Sequence, residues 1–206
     1  MEIRDIRAVL FDMDGTLVDS DAIVDRSWSR WATEYGLLPA EVLAVAHGNP
    51  AVATVAQMLP DATPAERAAA AARVLDLEVN DVDGVVAKPG ALDLLATLDR
   101  IGVPWAVYTS APAQLAKVRL TAAGIAPSIL VTVDDVSRGK PDPEGYLRAA
   151  ELLDVPVTQC LVVEDTVVGL SAGQASGALT AGLKGISADI ELADLHRLDA
   201  LFKGLE

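Results

Sequence analysis

Cysteine is almost absent from this sequence, in which Cys160 is the single one among 206 residues. One cysteine excludes an internal disulfide framework and is typical of a protein in a reducing compartment, so we expect a cytoplasmic location. Long apolar runs are also lacking, and none approaches the length of a membrane span. Glu2, Arg4 and Asp5 interrupt the first apolar residues. We therefore expect neither a signal segment nor a membrane partner.

Positive charge is scarce as well. Lysine and arginine number 16 against 30 aspartates and glutamates, which gives a net charge of −14. Such a chain does not attract nucleic acid or an anionic membrane surface, so we expect neither as a partner. It does not attract a phosphorylated small molecule over a distance either. A site for one would have to be made locally positive by a metal ion, a lysine and backbone amides.

Apolar residues make up 51% of the chain, which is enough for one large domain or for a core domain with an insertion. From residue 88 onwards, short apolar runs alternate with helical patterns. Alternation of this kind predicts an α/β fold: a Rossmann-like parallel sheet with helices on both faces. The predicted strands cover residues 103–108, 129–131, 160–163 and 178–181, and the predicted helices cover residues 89–100, 112–123, 143–153 and 167–175.

Residues 20–83 show helical patterns and no clear strand, which predicts an α-helical insertion. The helices are expected at residues 21–35, 39–46, 51–59 and 63–76, with Ser20 or Asp21 as the cap of the first. Thr63, Pro64 and Glu66 form a capping-box pattern at the start of the last helix. We predict a core domain of residues 1–18 and 84–206 and a helical domain of residues 19–83.

The segment of residues 8–20 reads AVLFDMDGTLVDS and places two carboxylates, Asp12 and Asp14, at the end of a predicted buried strand. Two carboxylates this close cannot both ionise cheaply without a nearby cation or an uneven environment. The pair therefore suits either a hard metal ion or an acid/base pair. Thr109-Ser110 and Glu164-Asp165 also follow predicted strands, and ligands of parallel sheets bind beyond such strand ends.

Four motifs in this order resemble the haloacid dehalogenase superfamily of phosphohydrolases: Asp12 to Thr16, Thr109-Ser110, Lys140 before Pro141, and Glu164-Asp165. The helical insertion resembles the first type of cap domain in that superfamily. The surrounding residues are similar to one branch, the sugar-phosphate and polyol-phosphate phosphatases, which includes the deoxyglucose-phosphate and glycerol-phosphate enzymes. Those residues are 105–110, 134–136, 139–141, 163–165 and Ala46-His47-Gly48.

The resemblance implies a role for each matching residue. Asp12 would be the nucleophile that forms an aspartyl-phosphate, and Asp14 the general acid and base. Mg²⁺ would be held by Asp12, the backbone carbonyl of Asp14, Asp165 and, directly or through water, Glu164. The phosphate-binding residues would be Thr109, Ser110 and Lys140, and possible substrate contacts in the cap are His47 and Asn49.

Several alternatives remain open at this point. Branch members tend to carry a basic residue shortly after the His-Gly pair, whereas Asn49-Pro50 follow here, so the substrate is open within the small phosphorylated metabolites. A phosphomutase of the beta-phosphoglucomutase kind would share the strand-end residues and the cap. A non-catalytic phosphosugar-binding protein is a third possibility, although Asp12, Asp14, Lys140 and Asp165 are all present. We expect a monomer or a weak dimer.

Overall fold

The centre of the molecule is a parallel β-sheet. The structure is a computed structural model that describes residues 3–46 and 49–204. Within those residues the sheet has six strands: β1 (Ala8–Phe11), β4 (Trp105–Tyr108), β5 (Leu130–Val131), β6 (Cys160–Glu164), β7 (Leu179–Gly182) and β8 (Ile190–Glu191). Their spatial order is β5-β4-β1-β6-β7-β8. A separate antiparallel pair is formed by β2 (Val18–Asp19) and β3 (Val86–Ala87).

Helices cover both faces of this sheet, because successive strand residues point to opposite sides. In β1, Val9 and Phe11 face one apolar cluster, whereas Ala8 and Leu10 face the other. The helices on the first side are α5 (Ala91–Ile101), α6 (Ala113–Ala122) and α9 (Leu195–Lys203), and those on the second are α7 (Glu144–Leu152) and α8 (Val167–Ser176). Cys160 is buried in the second cluster, and burial raises the pKa of its thiol to about 11, as expected for an inert strand residue.

Four helices between β2 and β3 pack around an apolar cluster of their own. They are α1 (Asp21–Glu34), α2 (Pro39–Ala46), α3 (Ala51–Met58) and α4 (Pro64–Asn80). Trp28 and Trp31 lie in this cluster, and the Trp31 indole donates a hydrogen bond to the Ala70 carbonyl at 2.9 Å. We call this group of helices the cap. The β2–β3 pair brings its two ends side by side, because Val18 pairs with Ala87.

The predicted α/β fold with a parallel sheet and an all-helical insertion is confirmed. The domain boundaries at residues 18 and 84 stay a prediction. The two-residue strands β2, β3 and β8 were missed, because two residues are too few to show an alternating pattern. The equally short β5 was predicted from its apolar run at residues 129–131. Among the described residues, no helix combines the length and the apolar character that a membrane span requires.

The start of α4 supplies a stability prediction. The Thr63 hydroxyl accepts a hydrogen bond from the Glu66 amide, and the Glu66 carboxylate accepts one from the Thr63 amide. We expect Thr63→Ala to lower the free energy of unfolding by about 1 kcal/mol, because the cap of the helix is lost. Thr33→Ala, which changes an exposed hydroxyl inside α1, is the control and should change it much less. Equal effects in urea unfolding would contradict the prediction.

Candidate active site

The carboxyl ends of β1, β4 and β6 lie side by side. Phe11 of β1 pairs with Val107 on one side and Val163 on the other. The amide of the next residue, Asp12, donates a hydrogen bond to the Val163 carbonyl at 3.0 Å. This register places Asp12 between Tyr108, the last residue of β4, and Glu164, the last residue of β6.

Lys140 joins the tips of β1 and β6. Its Nζ atom lies 2.6 Å from Oδ1 of Asp12 and 2.6 Å from Oε1 of Glu164, and its side chain is only 6% exposed. Burial by itself would lower the pKa of the lysine, but the two carboxylates outweigh burial and raise it. The ammonium group is therefore charged and fixed between the two acids.

Glu164 is held in place from several directions. Besides Lys140, the Tyr146 hydroxyl donates to Oε1 at 2.9 Å, and the Thr166 hydroxyl donates to Oε2 at 3.0 Å. Burial of this fully enclosed carboxylate would raise its pKa, yet the nearby lysine and the hydrogen bonds lower it. Glu164 is consequently an ionised anchor for Lys140.

Three buried carboxylates form a group that fits a divalent metal ion. Asp12, Glu164 and Asp165 each offer an oxygen atom, and these atoms lie within 4.8 Å of one another. Burial raises the pKa of Asp12 and of Asp165, despite Lys140 beside the first and Lys184 at 2.8 Å from the second. Three acids thus face two ammonium groups, and an oxygen donor set with excess negative charge suits a hard cation such as Mg²⁺.

Gly15 allows the loop after β1 to approach this acidic group. Its φ angle is +85°, which favours glycine, and a Cβ atom at this position would overlap the Asp165 carboxylate. The Thr16 hydroxyl in the same loop donates to Asp165 at 3.3 Å. The glycine is therefore needed both for the turn and for the space around Asp165.

Asp14 lies outside the buried acidic group and faces the cap. The Ser20 hydroxyl donates to its Oδ1 at 2.7 Å, and Nη1 of Arg119 lies 2.9 Å from its Oδ2. Ser20 occupies the N-cap position of α1, which is one of the two positions predicted for the cap, but its side chain makes no capping hydrogen bond. Its hydroxyl is used by Asp14 instead.

A cavity of about 620 Å³ lies between the strand tips and the cap, and Asp12, Asp14 and Lys140 line it. Thr109 and Ser110 also line the cavity, and the Thr109 hydroxyl accepts a hydrogen bond from the Ala111 amide at 3.0 Å. The cap side of the cavity is mainly apolar and includes Val24, Trp28, Ala46, Val52, Ala71 and Leu75.

Of the two predicted substrate contacts in the cap, His47 and Asn49, the structure describes only Asn49. Asn49 lines the cavity, and its side-chain amide donates to the Val45 carbonyl at 2.7 Å. His47 lies outside the described residues. The structure thus brings Asp12, Asp14, Thr109, Ser110, Lys140, Glu164, Asp165 and Asn49 to one region of the molecule.

Three charged residues of this region were missed by the sequence analysis: Glu78, Arg119 and Lys184. None of the three belongs to a recognisable motif. Arg119 is 105 residues from its partner Asp14, Lys184 is 19 residues from its partner Asp165, and Glu78 pairs with Arg119. Lys184 has a φ angle of +53°, a backbone value that its sequence context does not reveal. Arg119 and Lys184 thus add two positive charges to that of Lys140 at this site.

The comparison with known families agrees with this geometry. A family model described as a haloacid dehalogenase-like hydrolase matches residues 6–177. The chain belongs to that family, and the predicted resemblance is confirmed.

Individual relatives narrow the class further. The chain is 39% identical over 201 residues to hexitol phosphatase A of Escherichia coli (strain K12), with 97% of this chain and 92% of that protein covered. It is 34% identical over 193 residues to 2-deoxyglucose-6-phosphate phosphatase 1 of Saccharomyces cerevisiae, with 84% and 78% covered. The crystal structure of CbbY from Rhodobacter sphaeroides in complex with phosphate superimposes with a TM-score of 0.76 at 25% identity, with 94% and 96% covered. The chain is an enzyme of the phosphatase class, as predicted.

Lys140 supplies a prediction about stability. Lys140→Met leaves Asp12 and Glu164 buried without their cation, so we expect the free energy of unfolding in the presence of a chelator to fall by about 3 kcal/mol. The control is Lys203→Met, which breaks the ion pair of a half-exposed lysine with Asp199 and should cost less than about 1 kcal/mol. If denaturant unfolding gave comparable losses of unfolding free energy in the two variants, burial of the contacts of Lys140 with Asp12 and Glu164 would not contribute to stability.

Proposed function

We propose that this protein is a Mg²⁺-dependent phosphatase of small sugar or polyol phosphates that works through an aspartyl-phosphate on Asp12. The observation that carries the proposal is the buried contact of Lys140 with Asp12 and Glu164, next to the Asp165 carboxylate and beneath an open cavity. A phosphate dianion would be repelled by this acidic region unless cations screened it. Lys140 supplies one such cation, and the acidic group supplies a place for another.

Asp12 is the proposed nucleophile. Lys140 holds Oδ1 of Asp12 in a fixed direction, so a carboxylate oxygen can be presented to the phosphorus atom of a bound ester. The O–P bond to Asp12 forms as the P–O bond to the substrate alcohol breaks. A magnesium ion bound by Asp12, Asp165, the Asp14 carbonyl and, directly or through water, Glu164 would neutralise charge on the phosphoryl oxygens. Thr109, Ser110 and Lys140 would donate hydrogen bonds to those oxygens.

Asp14 is the proposed general acid and base. It gives a proton to the ester oxygen, which leaves as an alcohol, and later takes a proton from the water that attacks the aspartyl-phosphate. The second step releases inorganic phosphate and returns both carboxyl groups to their starting states. The position of Asp14 at the mouth of the cavity, 29% exposed, supports this division of labour with the buried Asp12.

The substrate class rests on the relatives and on the cavity. The relatives named above are phosphatases of hexitol and 2-deoxyglucose-6-phosphate by their names. A cavity of about 620 Å³ is in the range of sites for small metabolites. Asn49 would contact the hydroxyl groups of such a substrate. The same role for His47, which lies outside the described residues, stays a prediction. A cytoplasmic location and a monomeric or weakly dimeric state stay predictions.

The roles of the two aspartates can be separated by substitution. We expect Asp12→Asn to reduce hydrolysis of 4-nitrophenyl phosphate to background, because the nucleophile is lost. We expect Asp14→Asn to lower turnover by about 10²- to 10⁴-fold while retaining a burst of one nitrophenol per active site, because a good leaving group needs no acid and only the second step requires the base. The burst is measured by stopped flow with Mg²⁺. Unchanged activity of Asp12→Asn would refute the covalent mechanism.

Hydrolysis and phosphomutase chemistry differ in the acceptor of the phosphoryl group. We expect the protein to release inorganic phosphate from hexitol, sugar and polyol monophosphates with Mg²⁺ and without any bisphosphate. Phosphate release is scored by kcat/KM across the panel, and the same assay with EDTA should show none. A requirement for a sugar bisphosphate, with isomeric sugar phosphate as the product, would instead indicate a mutase. Binding of phosphosugars without turnover of any ester would indicate a non-catalytic protein.

A further inference from the structure

Arg119 is a buried cation of the cavity that none of the recognised motifs contains. It lies in α6, and its side chain is 5% exposed. Its Nη1 atom is 2.9 Å from Oδ2 of Asp14, and its Nη2 atom is 3.2 Å from Oε1 of Glu78. Glu78 belongs to α4 of the cap and is itself only 8% exposed. One guanidinium group thus connects a carboxylate of the loop after β1 to a carboxylate of the cap.

Both contacts are close ion pairs. The Arg119–Asp14 contact brings a guanidinium nitrogen to an oxygen of the proposed general acid. The contact of Nη2 with Glu78 is an ion pair between two buried side chains. Nε of Arg119 has no hydrogen-bond partner within residues 3–46 and 49–204. The positive charge of the buried Arg119 guanidinium group is therefore balanced mainly by the carboxylates of Asp14 and Glu78.

The other oxygen of Asp14 is held as well. The Ser20 hydroxyl donates a hydrogen bond to Oδ1 at 2.7 Å, and the Arg119 guanidinium lies 2.9 Å from Oδ2 as an ion pair. A hydrogen bond at one oxygen and a buried cation at the other restrict rotation of the carboxyl group about its bond to Cβ. General acid catalysis requires such fixing, since a misplacement of about 1 Å can cost about 100-fold in rate.

We propose that Arg119 is a positioning residue for Asp14, and that Glu78 holds Arg119 in the orientation required. This inference rests on the proposed function, because it needs Asp14 to be the general acid and base. Arg119 would not touch the phosphoryl group. It would act through Asp14, in the step that protonates the leaving alcohol and in the step that activates water.

The experiment uses aryl phosphates of graded leaving-group acidity, namely phenyl, 4-nitrophenyl and 2,4-dinitrophenyl phosphate. These substrates carry no sugar hydroxyl groups, so contacts of Arg119 with such groups cannot contribute. The kcat/KM value reports the transfer to Asp12, in which the need for an acid falls as the leaving group improves. The variants are Arg119→Lys, Glu78→Gln and the double variant Arg119→Gln/Glu78→Gln. The double variant removes the cation without leaving Glu78 ionised and unpaired.

We expect Arg119→Lys and the double variant to lower kcat/KM for phenyl phosphate by about 10- to 100-fold and for 2,4-dinitrophenyl phosphate by less than about threefold. With the dinitrophenyl ester, kcat and KM should fall together, because only the hydrolysis of the aspartyl-phosphate is slowed. Glu78→Gln should change the same quantities in the same direction by less. Arg73→Gln, which breaks an ion pair with Glu34 inside the cap, is the control and should change none of them.

Other results would overturn the inference. A loss of the same size for all three esters, or a rise in KM alone, would assign Arg119 to substrate binding or to the fold. Unchanged kinetics in the double variant would show that Asp14 needs no such support. Asp14→Asn serves as the reference for both proposals. If that variant shows the graded loss and the Arg119 variants do not, the positioning role is wrong and the proposed function stands. If Asp14→Asn shows no graded loss, the proposed function itself fails.

Discussion

The contact of one buried ammonium group with two carboxylates is the interaction on which this site depends. Lys140 reaches Asp12 at the end of β1 and Glu164 at the end of β6, and the aromatic rings of Tyr108 and Tyr146 enclose it. Without the lysine, two acids would face each other in a medium of low polarity, and at least one would take up a proton. With it, Asp12 has a defined direction, and Glu164 is kept as a fixed anion.

The charge of the whole chain makes this local arrangement more significant. A protein with a net charge of −14 repels phosphate esters at long range, yet it belongs to a family of hydrolases whose named relatives here are phosphatases. Among the described residues, the cations that line the cavity are Lys140, Arg119 and Lys184, and each is paired with a carboxylate. Their role in the structure is therefore to orient acids as much as to attract an anion.

The cap is connected to the core by side-chain contacts as well as by the polypeptide chain. Its two ends meet in the β2–β3 pair, and the Asp14 carboxyl group contacts Ser20 at one end and, through Arg119, Glu78 near the other. A shift of the cap helices would change the surroundings of Asp14 before those of the buried Asp12. The two aspartates are two residues apart in the chain, but one belongs to the rigid sheet and the other to the boundary between sheet and cap.

The sequence by itself determined the local features: the alternating strands and helices, the capping box at Thr63, and the motifs that contain Asp12, Asp14, Lys140 and Glu164. Each of these leaves a signal within a few residues, because hydrogen bonds of helices and turns are local. Only the tertiary structure decided that Arg119 lies beside Asp14, that Lys184 reaches Asp165, and that Ser20 serves Asp14 rather than its own helix. The contacts of Arg119 and Lys184 join segments that are distant in the sequence, and the Ser20 hydroxyl bonds a carboxylate instead of the backbone of its own helix. The order of the strands and the position of the cap on the sheet determine these contacts.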